Sequence, residues 1–181
     1  MTDNIIIGKG TNINGYNHFA SSKEAKIIIG KYCAIANGCK IITLNHDYNY
    51  PAIQGKFYNT YFDKKHPGEI KNPPNKERTK GDVIIGNDVW IGEDVFISSG
   101  VTIGHGCCIG AKSVITRSLP DYTICVGSPC KAVKQRYNQE VIDFLLKLKW
   151  WDWSDNKIKN NKEFFYTNLN KVKDINLIKI K

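Results

Sequence analysis

The chain has 181 residues, a formal net charge of +9 and a hydrophobic content of 41%. This length fits one domain with a modest appendage. No segment approaches the roughly 18 consecutive apolar residues that a membrane span requires. The amino terminus lacks the basic and apolar regions of a secretory signal peptide. We therefore expect a cytoplasmic protein with no membrane span.

The positive charge raises the hypothesis of nucleic-acid binding. The lysines, however, are scattered through a central loop and the carboxyl-terminal tail, and no stacking motif or recognition helix accompanies them. An anionic small ligand or a solvated lysine-rich surface explains the charge better. We expect no nucleic-acid partner and keep nucleic acid as the weaker alternative.

Isoleucine recurs at every sixth position along one stretch of the chain. The series is Ile85, Ile91, Ile97, Ile103, Ile109 and Ile115, and a second series four residues later is Val89, Val95, Val101, Cys107 and Ser113. A period of six fits neither an α-helix nor one flat strand. It fits a chain that turns a corner after each short strand and points one aliphatic side chain inward on each face. The pattern predicts a parallel β-helix.

The repeat is interrupted once. Earlier copies occupy residues 29–40, with a ragged one at 7–13, and regular copies resume at Gly81. The spacing from Ile41 to Ile85 (85 − 41 = 44) is not a multiple of six. Residues from about 47 to 80 are therefore predicted to leave the coils as a loop without regular structure, and loops of this length are usually functional.

The chain divides into two parts by its pattern. Residues 1–136 are predicted to form the β-helix domain, with loop 47–80 inserted, and residues 137–181 a carboxyl-terminal helical tail. Apolar residues at helical spacing begin this tail: Val141, Ile142, Leu145, Leu146 and Leu148. Trp150, Trp151 and Trp153 follow, and we expect them to cover the open end of the β-helix.

The six cysteines raise the possibility of disulfides or a zinc site. Cys33, Cys39 and Cys107 occupy the inward position that valine fills elsewhere, and the chain has no CxxC pair. Small buried hydrophobes are the better interpretation. We expect no metal.

Three segments carry a family resemblance: GDVIIGNDVWIGEDV at 81–95, VGSPCKAVKQR at 126–136 and LLKLKWWDWS at 145–154. The chain resembles the hexapeptide-repeat acetyltransferases, and its tail is similar to the branch with streptogramin (virginiamycin) and chloramphenicol acetyltransferases. That branch also holds sugar acetyltransferases of surface-polysaccharide pathways. The resemblance implies an all-β fold, a left-handed parallel β-helix with an excursion loop and a short helical tail. It also implies a homotrimer and acetyl-CoA as co-substrate.

The resemblance implies roles for individual residues. His46 matches the catalytic histidine. The matches to cofactor-binding positions are Trp90, Glu93, Ala111, Thr116, Lys131, Lys134 and Arg136, and the candidates for acceptor binding are Asn17, Glu24, Asn45 and Tyr48. The streptogramin enzymes carry an Asn-His-Arg stretch where this chain has Asn-His-Asp, so the resemblance alone does not assign their acceptor to this chain.

Acetyl transfer to an alcohol needs a base, donors for the developing oxyanion, and a site that holds both substrates. Histidine is the usual base. We expect His105 to be an exposed turn residue and His66 to lie on the surface, while His18 fits a structural or an acceptor-lining role. His46 alone lies where rigid coil meets long loop. An acetyl-cysteine route is disfavoured, since it needs an exposed, activated thiol.

Two other classes of function fit this fold less well. A gamma-type carbonic anhydrase needs three histidine ligands, and the regular coils supply only His105. A non-catalytic scaffold would need neither the histidine-bearing loop nor the basic closing motif.

The loop offers rings interleaved with amides, which suit stacking on a sugar. The rings are Tyr48, Tyr50, Phe57, Tyr58, Tyr61 and Phe62. We therefore expect O-acetylation of a sugar in a surface-polysaccharide or nucleotide-sugar pathway. The alternatives are O-acetylation of a streptogramin- or chloramphenicol-type antibiotic and N-acetylation of an amino sugar.

Overall fold

The computed structural model of the protein describes residues 4–181, apart from the side chain of residue 176. Its strands are short. From β1 to β12, successive strands belong to the first, second and third sheet in turn, and the order then repeats. All pairings within the sheets are parallel except the last, between β13 and β14. The chain thus turns a corner after each short strand, as the six-residue period predicts.

The first sheet contains β1 (Ile5–Ile7), β4 (Ile27–Ile29), β7 (Val83–Ile85) and β10 (Thr102–Ile103). The second contains β2 (Asn12–Ile13), β5 (Ala34–Ile35), β8 (Trp90–Ile91), β11 (Cys108–Ile109), β13 (Thr123–Val126) and β14 (Lys131–Gln135). The third contains β3 (His18–Ala20), β6 (Lys40–Ile42), β9 (Phe96–Ile97) and β12 (Val114–Ile115).

The core is a set of stacked columns. Ile29 pairs in register with Ile85, which pairs with Ile103, so like side chains lie above one another. The six isoleucines of the period and the second inward series are all 1% exposed or less. Burying one such aliphatic side chain contributes about 1.5–3 kcal/mol. The inward positions predicted from the sequence are confirmed.

The corners have the left-handed backbone that the repeat requires. Asp88 and Asp94 have φ of 57° and 55°, a region that Asp tolerates better than most residues. Gly106 has φ of 65°, and a Cβ there would lie 2.3 Å from the Tyr122 ring. Tyr122, which is fully buried, therefore packs against this corner because glycine leaves it room.

The excursion leaves the coils after β6 and returns at β7. It contains α1 (Gly55–Phe62) and a 3-10 turn (Pro67–Glu69), so the expectation of a loop without regular structure is wrong. Phe57 and Tyr61 lie one helical turn apart, with ring centroids separated by 4.9 Å, and such pairs support a helix. No residue of α1 is buried in the chain.

The tail is helical well beyond its first helix. It consists of α2 (Gln139–Leu148), a 3-10 turn (Trp150–Asp152), α3 (Asp155–Asn160), α4 (Lys162–Tyr166) and 3-10 turns at Leu169–Lys171 and Ile175–Leu177. None of the helices in the described part of the chain is long and apolar enough to cross a bilayer.

The tail lies along the corner between the first and second sheets. Trp151 stacks on His105 with ring centroids 4.8 Å apart, and Trp150 contacts Tyr32 at 5.2 Å. The expectation that the tryptophans cover the open end of the coils is therefore wrong, as is that of an exposed His105. A flat imidazole in a corner column offers the indole a face to stack on.

The cysteines divide into two groups. Cys33, Cys39 and Cys107 are buried hydrophobes, as expected. Cys125 and Cys130 instead form a disulfide with Cα atoms 5.9 Å apart, so the interpretation of all six as unpaired is wrong. Cys125 lies in β13 and Cys130 ends the turn 127–130 that leads into β14, so the antiparallel pairing of the two strands brings these cysteines together.

Candidate active site

His46 follows β6 and opens into a cavity of about 360 Å³. The residues that line this cavity are Asn45, His46, Tyr48, Lys76, Glu77 and Lys80. The structure therefore brings His46 together with two of its predicted acceptor-binding residues. The other three come from the returning leg of the excursion, and the sequence reasoning missed them.

The outgoing and returning legs of the excursion are hydrogen-bonded beside His46. The backbone N–H of Asn45 donates to the carbonyl of Arg78 at 2.7 Å. The Thr79 hydroxyl donates to the carbonyl of Thr43 at 2.6 Å, and both threonines are buried. The backbone on both sides of the cavity is therefore fixed by direct hydrogen bonds between the two legs.

Asp47 anchors the excursion from within. Asp47 is 1% exposed, and its carboxylate accepts hydrogen bonds from the Asn49 backbone N–H, the Asn49 amide and the Asn75 amide. Burial raises the pKa of this carboxyl, but the hydrogen bonds and the Lys71 charge outweigh it and hold the pKa below its ordinary value. Asp47 is thus a structural carboxylate. It occupies the position at which the streptogramin enzymes carry the arginine of their Asn-His-Arg stretch.

A largely buried arginine crosses the base of the excursion. Arg78 has its guanidinium nitrogens 3.8 Å from a Glu24 oxygen and 3.7 Å from a Glu69 oxygen. Glu24, a predicted acceptor-binding residue, therefore pairs with Arg78 and does not line the His46 cavity.

Asn17 lies elsewhere, in the first coil. Its amide oxygen accepts from the Cys39 backbone N–H, and its amide nitrogen donates to the Asn14 carbonyl. The structure does not bring Asn17 into the His46 cavity.

The other histidines of the early chain are also accounted for. His66 is 2% exposed, with Nδ1 accepting from the Gly68 N–H at 3.0 Å and Nε2 3.1 Å from the Ala52 carbonyl oxygen. The expectation that His66 lies on the surface is wrong. Its side chain caps the 3-10 turn and is enclosed by the rings of Tyr50 and Tyr58. His18 lies exposed on the third sheet, opposite Lys40.

The aromatic residues of the excursion do not all face the cavity. Tyr48 lines it, whereas Phe57 contacts the rings of Tyr58, Tyr61 and Phe62 on α1. Of the rings predicted to stack on a sugar, Tyr48 alone lines this cavity, and the amide beside it is that of Asn45.

Most predicted cofactor positions lie on the second sheet or its exit corner. Trp90 is 50% exposed on the outer face, in register between Ala34 and Cys108. Glu93 and Ala111 follow β8 and β11, where the chain turns toward the third sheet. Lys131 and Lys134 are exposed on β14.

Two predicted cofactor positions lie apart from these. Thr116 is exposed just past β12, where the chain leaves the third sheet. Arg136 donates from Nη1 to Asp88 at 2.9 Å and to the Gly106 carbonyl at 3.1 Å, on the corner that the tail covers. Burial raises the pKa of Asp88, and the adjacent Arg136 charge opposes that rise.

The thiols near these positions are poor nucleophiles. Burial raises the pKa of Cys107 to about 11 and that of Cys39 to about 12. Burial also raises the pKa of Cys108, which neighbours Trp90. Nucleophilic attack needs the thiolate, which is scarce at neutral pH for such groups. Among residues 4–181, no three histidine, cysteine or acidic side chains are grouped to hold a metal ion.

A family model described as "Bacterial transferase hexapeptide (six repeats)" matches residues 82–117. A "Probable macrolide acetyltransferase" from Lysinibacillus sphaericus is 44% identical to the chain over 140 residues, which cover 76% of each protein. The chain belongs to the hexapeptide-repeat acetyltransferases. It is an enzyme, and the family resemblance inferred from its sequence is confirmed.

Other members of this family are named for different acceptors. A chloramphenicol acetyltransferase from Klebsiella aerogenes is 33% identical over 171 residues, covering 86% of this chain and 79% of the relative. The crystal structure of a maltose O-acetyltransferase from Clostridium difficile 630 is 29% identical with a TM-score of 0.54. The match covers 74% of this chain and 59% of the maltose enzyme. The chain thus spans less than two thirds of the length of that solved structure.

Proposed function

We propose that this acetyltransferase moves the acetyl group of acetyl-CoA to a hydroxyl group of a sugar. The observation that carries the proposal is the lining of the His46 cavity by an amide, a phenol, two lysines and a carboxylate. Sugar hydroxyls need hydrogen-bonding partners, whereas a macrolide-sized ring prefers an apolar wall. A surface-polysaccharide or nucleotide-sugar pathway in the cytoplasm is the setting we propose.

His46 is the proposed general base. Acetyl-CoA supplies an acetyl group activated as a thioester. As the acceptor oxygen bonds to the acetyl carbon, His46 takes the hydroxyl proton, and the C–S bond breaks to release CoA, whose thiolate recovers a proton. A positioned general base contributes about 10²–10⁴-fold to the rate. The raised pKa values of Cys39 and Cys107 support this direct route over an acetyl-cysteine.

We propose that the predicted cofactor positions bind acetyl-CoA from the second sheet. Trp90, Glu93, Ala111 and Thr116 are assigned to the thioester and pantetheine end. Lys131 and Lys134 are assigned to the nucleotide end, and their exposed ammonium groups on β14 suit phosphates. Arg136 is assigned there too, although its pairing with Asp88 leaves it fewer free donors.

A left-handed coil and a homotrimer complete the proposal, as is typical of the family. His46 follows a strand of the third sheet, whereas Trp90 lies on the second. A neighbouring subunit is the natural source of the missing half of each site. The outer face of the first sheet supports assembly, because Ile6 and Ile84 are 49% and 39% exposed there, in register with Ile28.

Antibiotic O-acetylation is the second candidate. The 44% identity to a probable macrolide acetyltransferase favours it. The Asn-His-Asp sequence and the charged lining of the cavity favour the sugar.

The test is release of free CoA thiol from acetyl-CoA across a panel of acceptors. The panel holds neutral sugars, acidic sugars, nucleotide sugars, chloramphenicol, a streptogramin and a macrolide. We expect turnover of a saccharide that is lost in His46→Ala. Efficient turnover of an antibiotic, with none for any saccharide, would replace the proposal with the second candidate.

A further inference from the structure

Two lysines of the His46 cavity have no anionic partner among the residues that the structure describes. Lys76 and Lys80 are exposed and both line the cavity. None of the carboxylates that the structure describes lies within ion-pair distance of either ammonium group. Glu77 lines the same cavity, so the charged side chains of the lining sum to one positive charge (2 − 1 = +1).

Nearby acidic groups are already engaged. Asp47 accepts hydrogen bonds from Asn49 and Asn75, and Glu24 and Glu69 both lie against Arg78. These carboxylates are therefore committed to holding the excursion together. The ammonium groups of Lys76 and Lys80, in contrast, are available to a ligand that binds in the cavity.

The backbone that carries the two lysines is fixed. Lys76 lies in a turn in which the N–H groups of Arg78 and Thr79 both donate to the Asn75 carbonyl at 3.0 Å. The Lys80 N–H donates to the Ser99 hydroxyl at 3.2 Å, which ties it to the coil. A charged group rooted in rigid backbone loses less freedom when it binds a ligand.

We propose that the acceptor is an anionic saccharide and that Lys76 and Lys80 bind its carboxylate or phosphate. The same molecule presents a hydroxyl to His46. A cavity of about 360 Å³ has room for a single sugar unit with its acidic group. This inference rests on the proposed function, since it names the class of sugar that the His46 site accepts.

The experiment compares four acceptors with the full-length enzyme and acetyl-CoA: a neutral methyl glycoside, a methyl glucuronoside, free sialic acid and a nucleoside-diphosphate sugar. We expect an acidic acceptor to have the highest kcat/KM and to lose its advantage at high salt. The two carboxylate sugars and the phosphate sugar separate the two sources of negative charge.

The variants are Lys76→Ala, Lys80→Ala and the double variant, with Lys56→Ala as the matched control. Lys56 is an exposed lysine on α1 of the same excursion and lies outside the cavity. Each cavity variant should raise KM for the acidic acceptor about tenfold, the size expected for one charge-assisted contact. KM for acetyl-CoA should not change, which also reports that the variants are folded.

Two failures are distinguishable. If a neutral glycoside is the best acceptor and the lysine variants leave its KM unchanged, the inference is overturned while the proposed function stands. If no saccharide is acetylated, the proposed function fails and the inference fails with it.

Discussion

Asp47 and Asn75 are joined by a hydrogen bond of 2.7 Å across the base of the excursion, 28 positions apart in the chain. Asp47 adjoins His46, and Asn75 adjoins Lys76, so this one contact links the two sides of the candidate site. It also fixes the mouth of the excursion independently of α1, which is not buried in the chain.

Asp47→Ala is expected to lower kcat without changing KM for acetyl-CoA. The variant removes the carboxylate to which the Asn49 and Asn75 amides donate hydrogen bonds. The backbone beside His46 is then less constrained. Steady-state kinetics at saturating acetyl-CoA, paired with thermal unfolding, measure this effect. Glu140→Ala, which removes an exposed carboxylate from the first turn of α2, is the control and should leave kcat unchanged.

The contribution of Asp47 to the stability of the protein depends on pH. The pKa of Asp47 is lower in the folded protein than in the unfolded chain, so its stabilisation is complete above the unfolded pKa of about 4. It is lost as the pH falls through the lower folded pKa. The Tm difference between wild type and Asp47→Ala should therefore be constant from about pH 5 to 8. A difference that disappears by about pH 6 would contradict this assignment.

Arg136→Ala is expected to reduce stability more than cofactor affinity. Arg136 pairs with Asp88 and stacks on Tyr137 where the tail meets the coils. Removal leaves a largely buried carboxylate without its partner, at a cost of about 1–3 kcal/mol. Urea unfolding measures the loss, and Asp88→Asn in the same background should recover part of it. A large rise in KM for acetyl-CoA with unchanged stability would contradict this and make cofactor binding the main role of Arg136.

The double variant Lys131→Ala and Lys134→Ala is expected to raise KM for acetyl-CoA more than it lowers kcat. Contacts far from the reacting thioester stabilise the ground and transition states alike. The effect should shrink at high salt, because both ammonium groups are exposed. If KM for the acetyl acceptor rises instead, Lys131 and Lys134 bind the acceptor and not acetyl-CoA.

The positions of inward side chains could be read from the sequence because a coil repeats one environment. Each inward slot meets the same neighbours above and below, so the period of six placed Val89, Cys107 and even Ser113 in the core. His46 could be placed at the edge of the coils because the period stops there.

The rest depends on contacts that no repeat encodes. His66 is buried because Tyr50 and Tyr58 happen to flank it, and composition alone indicated an exposed loop. His105 is covered by Trp151 from a segment 46 positions away (151 − 105 = 46). Lys76 and Lys80 reach the His46 cavity only because the returning leg pairs with the outgoing one.

Ile84→Asp is expected to break the trimer. The outer face of the first sheet carries Ile6, Ile28 and Ile84 in register, and a buried aspartate would lose its hydration without a partner. Light scattering should show a trimer for the wild type and smaller species for the variant. Thr102→Ser, in register with Ile84 on the same face, is the matched control. A stable wild-type monomer with full activity would contradict the proposed assembly.

The kinetics of His46→Ala test the central claim most directly, using the best acceptor from the panel. The account predicts that kcat falls by about 10²–10⁴-fold. KM for acetyl-CoA should barely change, because the imidazole acts on the acceptor hydroxyl. A folded His46→Ala enzyme that keeps the wild-type kcat would contradict the account, and the general base would then have to be sought elsewhere.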